Sequence, residues 1–163
     1  MEFLAPHDEP VIVFRRAFNA PARLVFETWT EPRHLRRWRG PRGFELVACE
    51  VDLCVGGRYR FVHRAPDGSQ HVFYGQYLEI ERPSRLVSTL VYEAAPETEA
   101  LDEVTFDEGG GTTLVTGRSA FPTFAARDLY FAGGAERGLA GSHDRLDELL
   151  SSLASRPPER QGP

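Results

Sequence analysis

The stretch Arg58–Ile80, RYRFVHRAPDGSQHVFYGQYLEI, decides the fold. Two runs rich in aromatic and β-branched residues flank Pro66-Asp67-Gly68, a strong turn signal, so the segment reads as an antiparallel hairpin with strands Arg58–Ala65 and Gln70–Ile80. With Asp67-Gly68 as a two-residue turn, His63 faces Val72, Phe61 faces Tyr74 and Tyr59 faces Gln76. One face then collects Tyr59, Phe61, His63, Val72, Tyr74, Gln76, Leu78 and Ile80, and this is the better core face. The other collects Arg58, Arg60, Val62, Arg64, His71, Phe73, Gly75 and Tyr77. The core face carries polar tips on Tyr59, His63, Tyr74 and Gln76, and buried polar groups need partners or water, so a partly polar cavity is expected beneath whatever covers it.

Working outward, turn residues punctuate further strands at Phe44–Leu53, Leu86–Tyr92, Glu103–Phe106 and Thr112–Phe121, while the run from Val11 through Phe18 reads as the first strand of seven, ending at Asn19. Between the first strand and Gly40-Pro41, Pro21 opens one short helix bearing Leu24, Val25, Thr28 and Trp29, and Glu31-Pro32 opens a second bearing Leu35 and Trp38. Thr123 can cap a helix reaching about Tyr130, interrupted at Gly133-Gly134. Leu139, Ser142, His143, Leu146, Leu149, Leu150 and Leu153 then recur at helical steps and demand an apolar surface to cover. The concave face of an antiparallel sheet supplies it. The expected body is one α+β domain over residues 10–154, with 1–9 and 155–163 as flexible termini.

Composition narrows the function. The 163 residues are 41% hydrophobic and 26% charged with a net charge of −5, a globular balance that offers no overall attraction for nucleic acid or anionic lipid. Every basic residue other than histidine is arginine, which removes Schiff-base and Walker-type lysine chemistry. No signal-peptide pattern or membrane-length apolar run is present, so the cytoplasm is the expected address. Cys49 and Cys54 should point to opposite faces of one strand and are read as reduced thiols. His7, His34, His63, His71 and His143 lack metal-ligand spacing, and neither a metal nor a cofactor is expected. Glu50 and Asp52 share a strand face that reads as solvated rather than as an acid/base pair. Gly109-Gly110-Gly111 sits between strands and is a turn, not a phosphate cradle. Ser84, Ser119 and Ser142 lack a nucleophile-elbow context.

Arg33, Arg36, Arg37, Arg39 and Arg42 cluster around Trp38 and read first as a solvated surface, with a cationic rim for an acidic ligand as the functional alternative. His63 and His143 are the pair that strand and covering helix can bring to one cavity.

The ordered set Asn19–Pro41 (NAPARLVFETWTEPRHLRRWRGP), Cys49–Phe61, Pro66–Gly68, Gly75–Val87, Val104–Leu114, Ala126–Asp128 and Leu139–Leu150 resembles the activator of heat-shock protein 90 ATPase homologue family, within the START-like helix-grip superfamily. That resemblance covers about residues 11–154 and implies a seven-stranded curved antiparallel sheet, two short helices after the first strand and a long C-terminal helix gripping the concave face. Relatives commonly carry a double Trp before Gly-Pro and a Trp after Gly at the start of the long helix; here stand Trp38-Arg39 and Gly138-Leu139. With the fold it implies binding of a small, largely apolar or amphipathic ligand in a cavity lined by Trp38, Tyr59, Phe61, His63, Val72, Tyr74, Gln76, Leu139 and His143, with Arg36 and Arg39 at the rim. The alternatives are a cofactor-independent cyclase or hydratase using the same cavity, and a chaperone-associated stress-response or protein-interaction module. Self-association as a homodimer stays open.

Overall fold

The structure is a computed structural model that describes residues 1–155. Eight strands form one antiparallel sheet: β1 (Glu2–Leu4), β2 (Val11–Phe18), β3 (Glu45–Val51), β4 (Arg58–Arg64), β5 (Gln70–Glu81), β6 (Arg85–Tyr92), β7 (Ala100–Gly109) and β8 (Thr112–Ala120). Their order across the sheet is β1-β2-β8-β7-β6-β5-β4-β3. Helices α1 (Ala22–Thr30) and α2 (Pro32–Trp38) join β2 to β3, and α3 (Phe124–Ala132) and α4 (Ala135–Ala154) follow β8. The α+β class and the antiparallel sheet match expectation; the counts do not, since there are eight strands and four α-helices, and the paired helices follow the second strand.

The extra strand lies in residues 1–9, where a flexible segment is expected. Glu2–Leu4 pairs with Val13–Arg15. Buried Arg127 fastens the following segment, its Nη1 donating to the carbonyls of Pro6 and Glu9, the latter at 2.9 Å. Phe3 meets Phe131 of α3 at 5.7 Å between ring centroids. Three residues are too few for alternation to show, and Arg127 and Phe131, which hold the segment down, lie more than a hundred positions away. Of the C-terminal segment, residues 156–163 lie outside the described residues.

Local signals set the helices. Pro32 occupies the first turn of α2, where its missing N–H costs nothing. The Trp38 indole N–H donates to the Thr28 carbonyl at 2.8 Å and locks α2 to α1. Thr123 caps α3, its hydroxyl accepting from the Ala126 N–H at 3.0 Å. On α4, Leu146, Leu149 and Leu150 are fully buried in a core shared with Phe14, Phe18, Val115, Phe61 and Leu46 from the sheet. Each such side chain contributes about 1.5–3 kcal/mol by leaving water, which is why this helix grips the concave face.

The β4–β5 register differs from the expected one by one residue. His63 pairs with His71, Phe61 with Phe73, Tyr59 with Gly75 and Arg58 with Gln76. The loop holds three residues rather than two: the Gly68 N–H donates to the Ala65 carbonyl at 2.9 Å, Gly68 takes φ +87°, and Ala65 N–H pairs with the Ser69 carbonyl. Asp67 Oδ1 fixes the bend by accepting from the Ser69 N–H at 2.9 Å. Because side chains alternate, the slip moves Val72, Tyr74 and Gln76 to the convex face and brings His71, Phe73 and Tyr77 inside. Leu78 is exposed, and a register shift between Tyr77 and Glu79 returns Ile80 to the core side.

Gly75 makes room for this arrangement. A Cβ there would stand 2.0 Å from the Thr89 carbonyl oxygen and 2.6 Å from Tyr59 Oη. Tyr59 crosses over Gly75 and donates its hydroxyl hydrogen to that carbonyl at 2.5 Å. We expect Gly75→Val to displace the Tyr59 ring and lower stability by about 1–3 kcal/mol, read as a reduced urea midpoint. An unchanged midpoint would show that the ring does not need this space.

Candidate functional site

Two environments occupy the concave face. The first is dry and aromatic. His143 is 1% exposed and ringed by Phe14 at 4.8 Å, Trp29 at 5.6 Å, Phe18 at 5.9 Å and Trp38 at 6.2 Å. Its Nδ1 has no hydrogen-bond partner. Burial, helped by Arg16 and Arg39, pushes its pKa down to about 3, so the imidazole is neutral at ordinary pH. Trp38 and half-buried Leu139 pack into this same core.

The second environment is amphipathic and lies against β4–β8. Tyr59, Phe61 and Tyr77 form an aromatic wall, with centroids 5.1 Å apart for Tyr59–Phe61 and 5.4 Å for Tyr59–Tyr77. Burial raises the pKa of both tyrosines, Tyr77 to about 12, so both are phenols. Arg39 turns in from the end of α2, and its guanidinium carbon stands 4.3 Å above the Phe61 ring. Its Nε is buried and makes no hydrogen bond.

Asp102 stands on β7. The continuous β7 ladder places Asp102 on the face of Ala100, Val104 and Phe106, and Phe106 meets Trp29 of α1 at 5.7 Å, so this face is the inner one. Asp102 pairs laterally with Ser88 and Ser119, and Ser88 with Tyr77, making a polar row across four strands. Its Oδ1 is buried without a partner. Burial pushes the carboxyl up to about 6, opposed by the Ser119 hydroxyl and by the charge of Arg39. Among the described residues no ion pair joins Arg39 to Asp102.

Of the residues expected to line a cavity, Tyr59, Phe61 and His63 thus meet Arg39 in one place. His63 is buried, meets the Phe73 ring edge-on at 5.7 Å, and burial first, then Arg39, lowers its pKa to about 3. His63 and His143 share no contact; each has its own surroundings. Val72, Tyr74 and Gln76 face outward: Gln76 donates to the Gly56 carbonyl at 3.0 Å, and Tyr74 borders a depression of about 240 Å³ with Glu50, Arg58, Tyr59, Arg60 and Gly75. A second depression, about 130 Å³, lies between α2 and α4 at Arg37, Arg145, Glu148 and Leu149. Arg36 is exposed beside Cys49, whose thiol burial keeps protonated. The rest of the arginine cluster is surface: Arg33 pairs with Glu31 at 2.7 Å, and Arg42 with Glu148.

Asp102, Ser88, Ser119 and Tyr77 are absent from the expected lining. One signal reaches them: Asp102 has the parity of Ala100, Val104 and Phe106, which becomes visible once the strand starts at Ala100 rather than Glu103. Both cysteines are free, and no group of three or more His, Cys, Asp or Glu among the described residues could hold a metal. No helix among them is long and apolar enough to cross a membrane.

Residues 19–151 match the model of the family described as Activator of Hsp90 ATPase homolog 1-like protein. No curated protein matches the chain. Among solved structures, a Mycobacterium smegmatis protein is similar at 22% identity, with a TM-score of 0.84 over 92% of this chain and 96% of that one. A Rhodobacter sphaeroides protein gives 24% identity and 0.84 over 93% and 99%. A Nitrosomonas europaea protein gives 25% and 0.80 over 90% and 97%. These likenesses establish the fold.

Proposed function

The chain belongs to the Activator of Hsp90 ATPase homolog 1-like family, and from that premise we propose that it binds a small amphipathic molecule between the sheet and α4. One observation carries the reading: Arg39 Nε, above Phe61 of β4, and Asp102 Oδ1, on β7, are both buried and both lack a partner. Leaving either atom unsatisfied costs about 1–3 kcal/mol, more for a charged group, and a bound molecule that satisfies both recovers that cost. The aromatic wall of Tyr59, Phe61 and Tyr77 supplies the apolar contact. Ser88, Asp102 and Ser119 are only half-buried although they face inward, as expected of residues that border interior space.

Native mass spectrometry of the protein purified from its own source tests this. A small noncovalent adduct that is lost on denaturation is expected from the native chain and reduced in Arg39→Met. A bare mass for both, with no heat on titration with amphipathic acids or esters, would contradict the reading.

A second reading, a cofactor-independent cyclase or hydratase in the same interior, draws on Asp102, because a carboxyl raised to about 6 can exchange protons near neutrality. It requires turnover that vanishes in Asp102→Asn while ligand affinity persists.

A further inference from the structure

We infer that the interior site takes a flat carboxylic acid bearing a hydroxyl group, the carboxylate on Arg39 and the hydroxyl donating to Asp102. This rests on the ligand-binding reading above and adds the chemical class of the ligand.

A guanidinium lying on an aromatic face has its N–H bonds directed outward in its own plane. Arg39 over Phe61 therefore presents an edge fitted to a planar carboxylate, which takes two parallel hydrogen bonds. Apart from the Asp102 carboxylate, these titratable neighbours are neutral at physiological pH: His63 is an imidazole, Cys49 a thiol, and Tyr59 and Tyr77 are phenols. The cation is thus uncompensated at close range, and an arriving anion meets attraction from Arg39 with little competition. A neutral carbonyl gains only a weaker hydrogen bond there, and a cationic head group is repelled.

Across the site, Asp102 Oδ1 accepts hydrogen bonds and has no donor. A hydroxyl satisfies it without bringing a second charge into a buried region, which would cost more than it returns. Between the two polar ends, the rings of Tyr59, Phe61 and Tyr77 offer broad apolar surface suited to an aryl or unsaturated body. An arginine at position 39 supplies both a charge and donors in a fork.

Titration calorimetry with 4-hydroxycinnamate, cinnamate and methyl 4-hydroxycinnamate tests the inference. The hydroxy acid should bind the native chain at least about tenfold tighter than its ester, as loss of a charge-assisted bidentate contact requires. Arg39→Met should erase that preference, and Arg39→Lys should keep part of it. Asp102→Leu should erase the preference for the hydroxy acid over cinnamate while leaving acid over ester. Equal binding of acid and ester by the native chain would overturn the ligand class and leave the cavity reading standing. Binding of none of the three, the neutral ester included, would overturn both.

Discussion

Replacing Trp38 by alanine should cost about 3–5 kcal/mol, the range for removing a large aromatic from a packed core. Trp38 is 2% exposed, its ring lies 4.8 Å from Trp29 and 6.2 Å from His143, and its N–H satisfies the Thr28 carbonyl. Truncation would open a void between two helices and the sheet and also orphan that carbonyl. Against a total stability of about 5–15 kcal/mol, the variant should be marginal at ambient temperature. Trp38→Phe keeps a six-membered ring in the core while losing the hydrogen bond and part of the indole; a loss of about 1–3 kcal/mol, smaller than for alanine, is expected. Urea midpoints measure both. A small loss in Trp38→Ala would mean that the aromatic cluster does not hold α2 to α4.

The second large effect is acid sensitivity. His63 and His143 titrate near 6.5 when unfolded and near 3 when folded. The folded state therefore binds fewer protons, so their contribution is complete above pH 6.5 and is lost as pH falls from 6.5 toward 3. His34, also lowered, chiefly by burial and then by Arg33, acts in the same direction. Asp102 opposes them: its carboxyl rises from 3.8 to about 6, so it favours the folded state as pH falls from 6 toward 3.8. At about 1.4 kcal/mol per unit of separation, two imidazoles with the wider shifts outweigh one carboxyl. The melting temperature should hold above pH 6.5 and then fall steeply on acidification. His143→Leu should flatten that fall, because a neutral apolar side chain in the same ring of aromatics has no proton to gain. A melting temperature that is flat or rises from pH 7 to pH 4 would contradict the burial of both imidazoles.

Much of this architecture is legible in residues taken a few at a time. Pro32 marks the start of α2, Thr123 the start of α3, and the leucine spacing of α4 demands the surface it covers. The hairpin shows why legibility stops. Pro66-Asp67-Gly68 is compatible with a two-residue or a three-residue loop, and the choice falls to the Asp67 carboxylate reaching the Ser69 N–H. That one bond decides whether Tyr74 and Gln76 or Phe73 and Tyr77 face the interior. In the candidate site, Tyr59, Phe61 and His63 are legible because they alternate with Arg58, Arg60 and Arg64 along β4, with buried Val62 as the one exception. Arg39 is one of five neighbouring arginines, and nothing local distinguishes the one that turns inward onto Phe61. Asp102 sits beside an exposed apolar residue, Leu101, the reverse of the usual pattern, and only the register with Ser88 and Ser119 reveals its inward position. Long-range packing, not local pattern, assembles the two groups on which the function depends.

Diffraction from crystals grown with 4-hydroxycinnamate tests that assembly most directly. Density for the acid should lie between the Arg39 guanidinium and the Asp102 carboxyl, against Tyr59 and Phe61. A direct Arg39–Asp102 ion pair, with side chains filling the interior and no acid between them, would contradict it.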